Sequence, residues 1–325
     1  MTKKYPSSLQ ILAVALAVVA ADFAVAKTNA VSDGESTLAV AHNTWSLGTA
    51  MPTARFAASA GAIGTNIYVV GGIDQNNTAL SVNEIYNTKK KTWTTGASDP
   101  TPRGICAYAV VNGILYVIGG YNGSDLDLVE AYNPVSNTWT TETPMPTSRW
   151  GASAVVDKGI IYVIGGTQDL VTDLTTVESY DTSTDTWTEE TPLLFPKAYA
   201  AVGLLGTTIV AAGGYDGSEY TGDNEGYNVK KNNWVELAPD PNPRGGACFS
   251  AKSGLLYVAG GTNGPSAELS VNESYSAKTN SWTTLASMPN AANYPAGAEA
   301  GGRIYCIGGG VYEEVVYNYV QIYQP

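Results

Sequence analysis

Leu115-Tyr116-Val117-Ile118-Gly119-Gly120, then Glu130-Ala131-Tyr132, then Trp139-Thr140-Thr141, form one pattern within 27 residues, and it specifies three strands. A short apolar run ended by a glycine pair predicts a strand covered on both faces; Glu-x-Tyr and the tryptophan with its threonines predict two more. The same marks recur along the chain. Glycine pairs begin at Gly71, Gly119, Gly165, Gly213, Gly260 and Gly308, in steps of 46 to 48 residues. Each is followed by a tyrosine (Tyr86, Tyr132, Tyr180, Tyr227, Tyr275, Tyr323), and the first five tyrosines by a tryptophan seven residues on (Trp93, Trp139, Trp187, Trp234, Trp282). A repeat of this length is one supersecondary unit used six times. Tyr323 stands two residues before the last, Pro325, and its missing tryptophan lies at the other end as Trp45. The offset predicts that the first segment completes the last unit and closes a ring.

Each unit resolves into four strands. Sixteen residues ahead of the glycine pairs stand Arg55, Arg103, Arg149, Lys197 and Arg244, with Ala292 in the sixth unit. Small and apolar residues follow, as in Ala57-Ala58-Ser59-Ala60, and suit an innermost strand crowded near an axis. Glutamates precede the tyrosines (Glu84, Glu130, Glu178, Glu225, Glu273), with Gln321 in the sixth unit. A buried charge is costly without a partner, so the arginines and glutamates are expected to satisfy one another or backbone carbonyls between units. The recurring tryptophans are expected to be packing residues.

The glycine doublet, the Glu-x-Tyr and the tryptophan at this spacing resemble the kelch repeat, over residues 39–325. The resemblance implies an all-β, six-bladed β-propeller of four-stranded antiparallel blades, closed by an N-terminal strand around Trp45. Lys197 and Val210 in unit four, and Ala292 and Gln321 in unit six, depart from the pattern locally.

Residues 1–26 read as a signal peptide: Lys3 and Lys4, the apolar run Ile11 to Ala21, then Ala24-Val25-Ala26. Residues 27–38 read as a flexible leader. The expectation is a secreted or periplasmic monomer without a membrane span in its mature form. A net charge of −12 argues against nucleic acid as a partner. Cys106, Cys248 and Cys306 lack metal spacing and read first as small buried side chains, with a Cys248–Cys306 disulfide as an alternative. No cofactor and no metal are expected.

Loops leaving the second strand and loops leading into the first share one face, and the former differ from unit to unit. Variable loops on a rigid scaffold are where recognition is placed, and the resemblance implies a ligand or partner on this face. The candidate ligand-binding residues are Phe56, Tyr121, Asn122, Asp125, Arg149, Trp150, Tyr199, Tyr215, Asp216, Tyr294 and Tyr312, read as an aromatic rim around a polar, acidic mouth. The other reading of those aromatics is that they fill gaps between blades. With His42 as the single histidine, no His–Ser or His–Cys nucleophile pair can be built on this face. The tyrosine and two-histidine copper set of the oxidases sharing the implied fold is likewise excluded. The function expected is an exported, non-catalytic binding module for a carbohydrate or protein partner. The alternative is a mutarotase or epimerase acting on a sialic-acid-like sugar, gripped by Arg55, Arg103, Arg149 or Arg244.

Overall fold

The computed structural model describes residues 42–169, 172–264, 267–311 and 315–325. The signal peptide and leader expected at residues 1–38 lie outside the described residues. Six four-stranded antiparallel sheets form, with no helix among the described residues. Blade 1 comprises Ser59–Ile63, Asn66–Val70, Asn83–Asn87 and Thr92–Thr95. Blade 2 comprises Ala107–Val111, Ile114–Ile118, Val129–Asn133 and Thr138–Glu142. Blade 3 has Ser153–Asp157, Ile160–Ile164, Val177–Asp181 and Thr186–Glu189. Blade 4 has Ala201–Leu205, Thr208–Ala212, Asn224–Asn228 and Asn233–Leu237. Blade 5 has Cys248–Lys252, Leu255–Ala259, Asn272–Ser276 and Ser281–Thr284. Blade 6 has Ala296–Ala300, Arg303–Ile307 and Val320–Gln324, and takes its outer strand, Thr44–Leu47, from the other chain end. Trp45 pairs there with Tyr323, in the same register as Trp93 with Tyr86 in blade 1. The ring closes as the offset termini predict.

Each tyrosine is buried, and the cross-strand tryptophan lies 4.9 to 5.2 Å from it, ring centre to ring centre. Such directly opposed pairs are the unit of sheet stabilisation. The tryptophans do more than pack. Each Nε1–H donates to a carbonyl of the preceding blade: Trp45 to Ala286, Trp93 to Thr49, Trp139 to Ala97, Trp187 to Thr143, Trp234 to Thr191 and Trp282 to Ala238. A tryptophan serves here because it is large, flat and ends in a donor.

The glycine pairs make the joint near the axis. The second glycine of each pair donates its N–H to a carbonyl of the next blade, from Gly72 to Arg103 round to Gly309 to Arg55. The approach needs bare backbone. A Cβ on Gly119, at φ 63°, would stand 2.5 Å from the Arg149 carbonyl oxygen.

The arginine–glutamate pairing forms as expected, with one correction: the partners sit within a blade, not between blades. The N–O distances are 2.6 Å for Arg55–Glu84 and Arg149–Glu178, 2.8 Å for Arg103–Glu130 and Arg244–Glu273, and 3.3 Å for Lys197–Glu225. The pattern is intra-blade because the basic residue leads into the first strand and its side chain crosses under the second to the third. Arg55 Nη2, for instance, also donates to the Val69 carbonyl on the second strand.

Cys248 and Cys306 are also corrected from packing residues to a disulfide, which joins the first strand of blade 5 to the second strand of blade 6. The first strand of blade 5 packs across the seam against the second strand of blade 6, so Cα atoms 58 residues apart in sequence lie 5.7 Å apart. Cys106 keeps the packing role as a free, partly buried thiol. Desolvation pushes it up to about 12, so it stays protonated at neutral pH.

Candidate functional site

The mouth of the central channel is built from one residue per blade, two places after the basic position: Ala57, Ile105, Gly151, Tyr199, Gly246 and Tyr294. All six hold the left-handed conformation, with φ between 51° and 65°. Their backbones form a closed circle of hydrogen bonds. Ala57 donates to Tyr294, Tyr294 to Gly246, Gly246 to Tyr199, Tyr199 to Gly151, Gly151 to Ile105 and Ile105 to Ala57, at 2.7 to 3.1 Å. The circle satisfies six N–H groups that no sheet reaches. It also holds four non-glycine residues in a conformation that costs each about 1 kcal/mol or more.

Large and small residues alternate along half of this circle. Tyr199 lies over Gly151 and Tyr294 over Gly246, where a Cβ would stand 2.5 Å from the Tyr294 ring. The two tyrosines extend into an aromatic arc. Ring centres run Tyr121 to Trp150 at 5.5 Å, Trp150 to Tyr199 at 5.8 Å, Tyr199 to Tyr294 at 5.2 Å and Tyr294 to Phe56 at 6.3 Å. Tyr220 joins them, backed by the Tyr215 ring at 5.2 Å. Burial raises the hydroxyl pKa values of Tyr199, Tyr294 and Tyr220, so these groups stay neutral donors.

The arc lines a cavity of about 560 Å³, within the range of small-molecule sites. Ile73, Asn77, Ile105, Asn122 and Asn293 complete much of its wall. Beneath it, Tyr108 reaches across the channel from blade 2 to blade 6. Its hydroxyl donates to the Gly297 carbonyl at 3.3 Å and accepts from the Gly297 N–H at 3.2 Å. With Phe249 it leaves only a space of about 70 Å³ below the circle. The mouth therefore has a floor.

Of the candidates named from sequence, the cavity gathers Phe56, Tyr121, Asn122, Trp150, Tyr199 and Tyr294. The others lie elsewhere. Arg149 is buried against Glu178 and is not in the wall. Tyr215 supports Tyr220 from behind. Asp125 ties two blades together by accepting the Asp169 N–H at 2.8 Å. Asp216 accepts from the Ser218 and Glu219 N–H groups of its own turn, and these bonds hold its carboxyl below the usual range. Tyr312 lies outside the described residues. The expected acidic mouth is corrected accordingly: among the described residues no charged side chain lines it, because the loop acids are occupied in shaping the loops. The rings that fill the gaps at the channel mouth are also the rings that line the cavity.

Sequence reasoning missed Tyr220, Ile105 and Asn293. Asn293 was findable, because it occupies in blade 6 the position of Trp150 in blade 3. Ile105 carried no signal, since a β-branched residue is a poor guess for positive φ. Two lining residues each carry a polar atom that is closed off from the cavity and has no hydrogen-bond partner among the described residues: the Trp150 Nε1 donor and the Asn293 Oδ1 acceptor. The described residues contain no cluster of histidine, cysteine, aspartate or glutamate able to hold a metal ion. His42 sits at the outer edge of blade 6, its Nδ1 2.6 Å from the Pro325 carbonyl oxygen.

Comparison with known proteins agrees with this architecture. The KLHDC2/KLHL20/DRC7 Kelch-repeats domain matches residues 140–309, and the Kelch motif matches 54–100 and 102–146. Influenza virus NS1A-binding protein homolog B of Danio rerio is 42% identical over 82 residues, covering 24% of this chain and 13% of that protein. The Homo sapiens Influenza virus NS1A-binding protein is 39% identical over 79 residues, covering 23% and 12%. The matched part is thus about an eighth of the length of these relatives. A solved structure described as "Structure of YjhT" superposes with a TM-score of 0.72 over 83% of this chain and 94% of that one, at 19% identity, a likeness of fold. With a family model covering more than half of its length and six blades in register, the chain belongs to the kelch-repeat β-propellers.

Proposed function

We propose that this protein is an exported, monomeric binding module whose loop face engages a carbohydrate or protein partner. The floored aromatic cavity at the channel mouth is the observation that carries the reading. Its walls are rigid, because the circle of backbone bonds and the glycine joints fix them, and its loops differ from blade to blade. Preorganised apolar walls with a few polar atoms describe a binding site. The name of the NS1A-binding relatives supports a protein partner. Export is supported by the leader-like first 26 residues and by the Cys248–Cys306 disulfide, since such bonds persist in oxidising compartments. The mutarotase reading requires an arginine and carboxylates in the mouth. Arg55, Arg103, Arg149 and Arg244 are all spent on buried glutamates.

Screening the purified protein against a glycan array and a displayed peptide library tests the proposal. Binding that Trp150→Ala abolishes without lowering the melting temperature supports it. Silence in both screens, or turnover of a bound sugar, overturns it.

A further inference from the structure

The exposed charge of this protein is sorted by face. The loops that leave the second strands build much of the cavity wall, and none of them holds a lysine or arginine. They hold acids instead, among them Asp74, Asp125, Asp127, Asp169, Asp216 and Glu219. The loops entering the first strands, on the same side, keep their basic residues in the sockets. Arg55, Arg103, Arg149, Lys197 and Arg244 are each at most 2% exposed, and each is paired with a glutamate. Every exposed lysine or arginine among the described residues lies on the far face, as Lys89, Lys90, Lys91, Lys230, Lys231 and Lys278 do in turns between third and fourth strands.

The acids surround the cavity without lining it. Asp74 follows Ile73 of the wall, Asp125 is bridged to Tyr121, and Glu219 precedes Tyr220. The Asn76 and Thr78 N–H groups, both at 2.8 Å, hold the Asp74 carboxyl below its usual range, so it stays ionised at neutral pH as Asp216 does. Like charges gathered around one concave mouth add to a field that salt screens over about 10 Å at 0.1 M. An occupant that uses this face fully therefore brings apolar groups for the walls and positive charge beside them. A neutral sugar brings no charge, and an anion is repelled. A metal ion needs several carboxylates together, and the described residues hold no such group. A polyamine brings charge but leaves a cavity of about 560 Å³ without an apolar filling.

We infer that the loop face docks a cationic polypeptide segment, which seats apolar side chains on the Trp150–Tyr199–Tyr294 arc and lays flanking lysines or arginines against the acids of blades 1 to 4. This rests on the binding-module reading above and names the partner class of that site. Charge complementarity selects a basic peptide, and the cavity sets where on the face it sits. Rim carboxylates act chiefly on the association rate, and the buried anchor on dissociation.

The test is panning of the whole protein against a displayed library of random peptides, followed by titration of the strongest hit as a synthetic peptide. Enriched sequences should be net positive, with an aromatic or aliphatic residue between the bases. The affinity should fall severalfold from about 50 to about 300 mM sodium chloride. Asp127→Asn with Glu219→Gln removes two exposed charges and keeps their shape; it should weaken binding about threefold to tenfold, mainly through slower association. Lys90→Glu adds a negative charge on the far face and should leave binding unchanged. A lysine homopeptide of equal length, having no anchor, should bind about tenfold more weakly than the hit. Should the double variant fail to fold, the salt series and the homopeptide still decide with the parent protein. Enrichment of neutral or acidic peptides, an affinity indifferent to salt, equal binding of the homopeptide, or an equal effect of Lys90→Glu overturns the inference. So does stacking of the chain on itself, basic face to acidic face, seen in light scattering as a mass that grows with concentration. Peptide silence with a glycan bound overturns it but leaves the binding-module reading standing. Silence with both overturns the two together.

Discussion

In blade 5 one buried socket holds Asp240, Arg244 and Glu273; in blade 6 the same three positions hold Met288, Ala292 and Gln321. The two sockets fill the same space by opposite chemistry. Blade 5 ties its arginine to both acids, at 3.1 and 2.8 Å. Blade 6 has no ion, and Gln321 exchanges two hydrogen bonds with the backbone of Asn290, at 2.9 and 3.0 Å. The contrast shows that the arginine and its glutamate are lost together, whereas the second acid varies on its own: Met51 and Met145 hold its place in blades 1 and 3, where Arg55–Glu84 and Arg149–Glu178 remain. Removing one charge leaves its partner buried and unpaired, whereas exchanging the whole set for neutral groups is close to neutral in free energy. The departures at Ala292 and Gln321, local when read singly, are one coordinated change.

Breaking the blade 5 socket is the severest test of that comparison. Arg244→Met fills the space without the cation and strands Asp240 and Glu273, so it should cost about 3–5 kcal/mol in urea unfolding. The triple change Asp240→Met, Arg244→Ala and Glu273→Gln, which imitates blade 6 completely, should recover most of the loss. Equal instability of the single and triple variants would break the link between arginine and glutamate. The disulfide between these two blades comes next. Replacing Cys248 and Cys306 together with alanine opens a loop of 58 residues and should cost about 2–4 kcal/mol. The loss should match that of the parent under reducing conditions.

Blades 2 and 5 each carry two acids for one arginine, while blade 6 carries none, and pH separates them. Burial first, and contact with Asp99 second, raises the Glu130 carboxyl to about 8. Burial and Asp240 raise Glu273 to about 7 in the same way. The folded protein therefore binds protons that the unfolded chain, with carboxyls near 4.3, has released. This stability is complete below the unfolded value and is lost as pH climbs through 7 and 8. Melting temperature should fall from pH 5 to pH 8.5, and Glu130→Gln with Glu273→Gln should flatten the slope. A parent profile that rises over this window would contradict the shared-proton account.

Much of this was legible in the sequence for a physical reason. Six copies of one unit repeat every local choice, so Gly119, Tyr132 and Trp139 each speak for five equivalents, and closure through Trp45 follows from the phase of the repeat. The cavity was legible only in part. Trp150 announced itself by breaking the repeat, and Phe56, Tyr199 and Tyr294 followed by position. What the sequence hid was direction. Asp125 and Asp216 read as mouth acids, yet backbone N–H groups in the turns draw them away. Arg149 read as available, yet the socket below consumes it. Spacing gives position along the chain but not which of two nearby partners a polar side chain chooses.

The smallest effect concerns the other seam of blade 6, where it meets blade 1. At the far face from the cavity, the residue between the third and fourth strands takes positive φ in every blade: Asn43, Lys91, Asn137, Asp185, Asn232 and Asn280. Five of these use a side-chain oxygen twice, as Asn137 does in accepting from the Tyr132 hydroxyl and from the Ala97 N–H of the preceding blade, both at 2.7 Å. Lys91 cannot accept, so the Tyr86 hydroxyl lacks the partner its equivalents have, at the seam that no disulfide crosses among the described residues. Lys91→Asn supplies the oxygen and suits the left-handed backbone better than lysine does. It should stabilise the protein by about 1 kcal/mol, a rise in melting temperature of about 2 °C. Because the gain requires Tyr86, it should vanish in Tyr86→Phe, and a gain that persists there would trace to backbone preference alone.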